Sequence, residues 1–106
     1  MIIELNQENF KQEIQSDTPI LVDFWATWCP PCMKQGEVLH ALDADHPDLR
    51  IGKVNVDDCR ELASAFGISN IPTMILFQNG QVLDTVVGLR NASQVLELFH
   101  QQGASL

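Results

Sequence analysis

Basic side chains are scarce in this 106-residue chain: six Lys and Arg stand against fourteen Asp and Glu, for a formal charge of −8. No segment gathers the basic residues into a cluster, which excludes nucleic acid and anionic membrane surfaces as natural partners and leaves proteins and small molecules. Long apolar runs are missing as well. The longest, Ile20 to Val22 and Met74 to Phe77, fall far short of the roughly 20 residues that span a bilayer. The opening Met-Ile-Ile-Glu-Leu-Asn lacks the basic stretch and apolar segment of an export signal, so a soluble, cytoplasmic protein is expected. Cysteines number three, an odd count that argues against a secreted disulfide framework. Repeats, linkers and low-complexity stretches are absent, and the length is that of one domain, 1–106, with a single core.

What is present is a close pair of thiols. Trp25 to Cys32 reads Trp-Ala-Thr-Trp-Cys-Pro-Pro-Cys, with Cys29 and Cys32 three residues apart just after an apolar run. One helical turn brings such positions to roughly 5–6 Å between Cβ atoms, and a disulfide accepts Cα separations of about 4.4–6.8 Å. The bond can therefore be made and broken with little backbone movement. The other chemistry open to such a pair is half a zinc site, which needs four ligands and a second Cys or His pair at similar spacing. Cys59, His40, His46 and His100 are scattered instead, so the pair reads as redox-active with no metal; the three histidines read as surface residues.

The rest of the chain predicts alternating elements. Met1 to Leu5 is a short strand, and Asn6 caps a helix whose inner face holds Phe10 and Ile14. Ile20 to Trp25 is continuously apolar except for Asp23, as in a strand covered on both faces, and so belongs in the middle of a sheet. The helix after the cysteines carries Val38, Leu39 and Leu42 until His46-Pro47 stops it. Ile51 to Val56 is a strand, and Asp58 with Glu61 forms a capping box for a helix that buries Leu62 and Phe66 and ends at Gly67. Thr73 to Gln78 and Gln81 to Val87 flank Asn79-Gly80, a strong hairpin signal. Asn91 with Gln94 opens a last helix carrying Val95, Leu96 and Phe99, with a tail that frays from Gln101. The expected fold is α/β, a central mixed sheet of about five strands flanked by about four helices.

Cys29 lies between a strand and a helix, where unpaired amides and the helix dipole favour a thiolate, and is the candidate nucleophile. Cys32, one turn inside, is placed to attack the mixed disulfide that Cys29 forms. Pro30 and Pro31 have no N–H, which leaves the amides of Cys32 and Met33 as donors to the Cys29 sulfur. Asp23, alone inside Leu-Val-Asp-Phe-Trp, is a candidate buried acid with a raised pKa, able to deprotonate Cys32 through a water while Lys53 on the next strand moderates the shift. Ile71-Pro72 stands just before the fourth strand, where proline is tolerated.

Val-Asp-Phe-Trp-Ala-x-Trp-Cys-x-Pro-Cys (Val22 to Cys32), Lys-Val-Asn-Val-Asp (Lys53 to Asp57), Ile-Pro-Thr (Ile71 to Thr73), Phe-Gln-Asn-Gly (Phe77 to Gly80) and Val87-Gly88 together resemble the thioredoxin family along essentially the whole chain. The resemblance implies the thioredoxin fold, Cys29 as attacking and Cys32 as resolving cysteine, Asp23 as the buried acid with Lys53 beside it, and a cis Ile71-Pro72 bond next to the disulfide. It also implies that protein disulfide substrates bind across Trp28, Pro30, Pro31, Ile71, Pro72 and Gly88, with Trp25 packed in the core. No bound cofactor is implied beyond the Cys29-Cys32 disulfide; electrons come from an NADPH-dependent thioredoxin reductase or another reductase, and the protein acts as a monomer. Two departures stand out. Pro30 replaces the glycine of the usual Cys-Gly-Pro-Cys, which bears on the redox potential, and Glu37 replaces a proline, so the usual helix kink is lost or moves to Gly36. Cys59 echoes a cysteine of some animal members and reads either as an oxidisable, regulatory thiol or as a small surface residue.

The expected function is reduction of protein disulfides. The same motifs serve an oxidant or isomerase, since potentials in this superfamily run from about −270 to about −120 mV, and a fold alone leaves open a non-enzymatic interaction module.

Overall fold

The computed structural model describes residues 1–101; of the tail expected to fray, Gln101 is the last residue of the final helix and the rest lies outside the described residues. The order is β1 (Ile2–Glu4), α1 (Phe10–Ile14), β2 (Ile20–Trp25), α2 (Pro30–Asp45), β3 (Arg50–Asn55), α3 (Arg60–Ala65), β4 (Thr73–Gln78), β5 (Gln81–Val87) and α4 (Ala92–Gln101). The five strands form one sheet in the order β1-β3-β2-β4-β5. β1 and β2 run parallel to β3, whereas β4 is antiparallel to both β2 and β5. The continuous apolar run of β2 thus takes the central position, buried from Ile20 to Phe24.

Because side chains alternate along a strand, β2 feeds two cores. Ile20, Val22 and Phe24 join Phe10 and Ile14 of α1 and Val54, Ile75 and Phe77, with Leu62 and Phe66 packed against them. Leu21 faces the other way, among Leu39 and Leu42 of α2 and Val95, Leu98 and Phe99 of α4. A third, smaller cluster of Ala26, Cys29 and Cys32 sits at the end of β2 where the chain enters α2, with Trp25, Val56 and Ile71 against it.

Local signals hold where side chain and backbone agree. Asn91 and Gln94 cap α4 reciprocally, each accepting from the other's backbone N–H at 2.9 Å. Asn79 and Gly80 both have positive φ, 54° and 77°, as the tight hairpin turn requires. Their N–H groups donate outside the hairpin, to Ser16 O at 2.9 Å and Ile14 O at 2.8 Å, and a Cβ on Gly80 would meet the Gln15 side chain at 2.6 Å.

Of two further expected caps, one forms and one is corrected. Asn6 caps the turn that leads into α1: its Oδ1 accepts from the N–H groups of Glu8 and Asn9, its carbonyl accepts from Phe10 N–H at 3.0 Å, its own N–H donates to Asn9 Oδ1, and the regular helix follows from Phe10. The Asp58–Glu61 box does not form. The N–H groups of Asp58 and Cys59 both donate to Asn55 O, Cys59 takes the cap position, and Glu61 accepts from Gln7 Nε2. α3 does end at Gly67, whose φ of +65° lets Gly67 N–H reach Ser64 O and Ile68 N–H reach Ala63 O. α2 begins at Pro30, before Cys32, and runs unbroken through Gly36 and Glu37.

Candidate active site

The first turn of α2 is built on Cys29. Its extended backbone (φ −107°, ψ 103°) makes it the N-cap, and Pro30 and Pro31 occupy the next two positions, where a missing N–H leaves no helical bond unmade. Cys29 and Cys32 form a disulfide with their Cα atoms 5.2 Å apart. Cys32 N–H donates to Cys29 Sγ at 3.3 Å. The Met33 N–H, the other donor expected there, goes to the Cys29 carbonyl at 3.1 Å, so one amide rather than two faces the sulfur. Cys29 is 5% exposed and Cys32 1%, which makes Cys29 the sulfur that an incoming partner reaches first.

Two neighbouring loops close on this turn. The Ile71-Pro72 peptide is cis, and the Ile71 carbonyl oxygen lies 3.8 Å from Cys29 Sγ. Gly88, with φ +95°, donates its N–H to Pro72 O at 2.8 Å. Trp28 is 66% exposed yet fixed at its far edge, since its Nε1 donates to Asp57 Oδ2 at 2.8 Å. Pro30, Pro31, Val87 and Leu89 are exposed, Ile71 is half-buried and Pro72 is buried. The sequence-derived residues Trp28, Cys29, Pro30, Pro31, Ile71, Pro72 and Gly88 therefore come together as one rim.

Beneath it, Asp23 is fully buried, and neither carboxyl oxygen has a hydrogen-bond partner. Burial pushes its pKa up to about 7, and the Lys53 charge opposes that rise. Lys53 is the register partner of Asp23 across β2 and β3. Its Nζ lies 4.4 Å from the Trp25 ring centroid and passes beneath α2, where a Cβ on Gly36 would stand 3.4 Å from it. The Trp25 indole N–H is likewise buried without a partner.

Cys59 stands apart from this group. It is buried in the core with Leu5 and Phe10, which corrects its reading as a surface residue, and burial, then Asp58, push its thiol up, away from the thiolate form. His40 and His100 are exposed and His46 half-buried. Among the described residues, no three His, Cys, Asp or Glu side chains gather as metal ligands would.

Sequence reasoning missed two residues. Asp57 was visible only as the end of a motif, with nothing to mark it as the partner of Trp28. Gln35 gave no signal, because a glutamine inside a helix reads as solvent-facing; in fact it is fully buried, and its side chain bonds the Arg90 backbone twice.

Two cysteines one turn apart at a helix N-terminus, the first the less deeply buried, above a buried acid, make up a thiol–disulfide oxidoreductase centre. The family model described as Thioredoxin matches residues 1–101. A thioredoxin of Alicyclobacillus acidocaldarius is 44% identical over 92 residues, 86% of this chain and 88% of that protein. One of Chlamydia caviae is 41% identical over 101 residues, 95% and 98% of the two chains. Thioredoxin 1 of Synechococcus elongatus is 46% identical over 81 residues, 74% and 76%. The chain belongs to the thioredoxin family and is a thiol–disulfide oxidoreductase of its protein-disulfide-reductase type, working with protein substrates and a reductase.

Proposed function

We propose that the chain reduces protein disulfides in two exchanges led by Cys29. The observation that carries this order is the difference between the two sulfurs: Cys29 is the more exposed and receives the Cys32 N–H, while Cys32 lies behind it. In the dithiol form the Cys29 thiolate attacks one sulfur of the substrate disulfide, forming a mixed disulfide and expelling a substrate thiolate. Cys32 then gives its proton, through a water, to the Asp23 carboxylate and attacks Cys29 Sγ. That closes the Cys29–Cys32 disulfide and releases the second substrate thiolate. Two electrons pass to the substrate, whose thiolates take up two protons. With a pKa of about 7, Asp23 can both accept and return a proton near neutral pH.

The reductase that restores the dithiol is read as the NADPH-dependent, flavin-containing type, delivering two electrons to the Cys29–Cys32 disulfide. Trp28, Pro30, Pro31, Ile71, Pro72 and Gly88 form the substrate rim. The reading also carries a monomeric, cytoplasmic protein, which sedimentation and cell fractionation check. Cys59 takes no part in the exchange.

Insulin reduction with NADPH and thioredoxin reductase tests the whole cycle. Cys32→Ser should accumulate mixed disulfides with substrate and Cys29→Ser should not; equal trapping by both would overturn the assigned order. Equilibration with glutathione tests the direction of electron flow, since a potential well above about −200 mV would make the protein an oxidant or isomerase instead.

A further inference from the structure

Gln35 lies three residues after Cys32, one turn further along α2 and on the same face of the helix. Its amide spends both ends on a single residue's main chain. Nε2 donates to the Arg90 carbonyl at 3.0 Å, and Oε1 accepts from the Arg90 N–H at 2.8 Å. A donor and an acceptor used together fix both the position and the orientation of the backbone they meet. Arg90 belongs to the connection between β5 and α4, a segment with no place in the sheet or the helices.

The same segment reaches the disulfide from its other end. Gly88 N–H donates to Pro72 O, and the preceding carbonyl, Ile71 O, lies against Cys29 Sγ. The links close a ring: Cys29 to the Ile71-Pro72 loop, that loop to Gly88, Gly88 through Leu89 to Arg90, Arg90 to Gln35, and Gln35 back along α2 to Cys32. Of these links, the pair from Gln35 is the only one made by a side chain outside the dithiol, and the Gln35 side chain itself is fully buried, so removing it frees the Arg90 N–H and C=O from partners fixed by the core. Val87 and Leu89, flanking Gly88, are both exposed, as a surface that meets a peptide must be.

We infer that Gln35 is a positioning residue for protein substrates: it holds the Gly88–Arg90 segment beside the dithiol, so that a peptide carrying the target disulfide docks on a segment already in place. The inference rests on the protein-disulfide reading above. A segment that must be ordered on binding subtracts from affinity, so loss of the clamp acts on substrate binding and spares the exchange chemistry at the sulfurs. A disulfide too small to reach Gly88 does not sense it.

The test uses Gln35→Met, which keeps the side-chain length and removes both bonds. The pre-reduced full chain is mixed in single turnovers with increasing insulin and, separately, with a small aryl disulfide. Half-saturation for insulin should rise about tenfold while its limiting rate and the aryl disulfide rate stay within about twofold, the pattern of lost binding rather than lost transition-state stabilisation. Unchanged half-saturation, or an equal slowing with both substrates, would overturn the inference. Amide hydrogen exchange on the wild-type chain gives a check that needs no variant: Arg90 N–H should be protected like a buried bonded amide, and exchange as fast as at an exposed loop amide would also overturn it. Failure of the wild-type protein to reduce insulin at all would instead strike the protein-disulfide reading, and the substrate role of Gln35 with it.

Discussion

The two faces of the sheet are filled on different terms, although the same central strand supplies both. On the α1 and α3 side, Phe10, Phe24, Phe66 and Phe77 meet tilted or edge to face with ring centroids between 5.3 and 6.2 Å apart, and no buried charged side chain joins their cluster. On the α2 and α4 side, Leu21 is followed by Asp23, with neither carboxyl oxygen bonded, then by Trp25 with Lys53 over its ring, while α2 contributes the buried amide of Gln35. One face holds the fold together; the other tolerates an unpaired acid beside the dithiol. Because strand side chains alternate with a period of two, the two duties are separable residue by residue.

Substitutions should separate them. The largest effect belongs to the aromatic face: Phe77→Ala should cost about 3–5 kcal/mol in urea unfolding, with insulin reduction intact where the protein remains folded. Lost exchange chemistry in a folded Phe77→Ala protein would break the division.

Asp23→Asn should act in the opposite sense and only at higher pH. A carboxyl with a folded pKa of about 7 against 3.8 keeps its proton in the native state while the unfolded chain loses it. Wild-type stability therefore falls as pH rises through that window. The variant lacks this slope, so it should match the wild type below pH 4 and exceed it above pH 7 by up to about 4 kcal/mol. The same change should lengthen the life of the mixed disulfide about a hundredfold, seen as a slow second phase in stopped-flow fluorescence. A pH-independent stability difference would show that the acid is not the titrating group.

Lys53→Met should be milder, losing about 1 kcal/mol of cation–π contact with Trp25 and moving the Asp23 titration further up, as read by NMR of its carboxyl carbon. An unmoved titration would remove Lys53 from the proton machinery. Smallest is Gly36→Ala. The new methyl would stand 3.4 Å from Lys53 Nζ, the mobile end of a flexible side chain, while a glycine inside a helix gives up about 0.5–1 kcal/mol relative to alanine. A rise of a few degrees in Tm is expected; a fall would show that Lys53 cannot move aside.

Much of this contrast is legible in the sequence, and what is not has a common cause. The continuous run of β2, the Asn79-Gly80 turn and the Asn91–Gln94 cap depend on neighbours a few residues away, and each stands in the structure as read. Asp23 was conspicuous because a lone acid interrupts an apolar strand. The Asp58–Glu61 pair misled because its atoms are taken by partners the spacing rule does not contain, Asn55 and Gln7. Leu83 on β5 illustrates the same limit, since the register slip that skips it, between the Leu76–Asp84 and Phe77–Val82 pairs, leaves no mark on the alternation. Gln35 is the extreme case. Its partner lies 55 residues away, and nothing in helix periodicity separates a buried glutamine from a solvated one.

The hairpin tip, at the end of the sheet away from the disulfide, bears on how the molecule can be engineered. A two-residue turn at the surface is the usual place to splice in an epitope tag or a reporter loop. Here both turn amides are tied to Ile14 and Ser16, and Gly80 has the Gln15 side chain where a Cβ would stand. A splice at that point would unfasten the α1–β2 connection as well as lengthen the turn. The exposed Pro47-Asp48 corner between α2 and β3 is the better port for cargo.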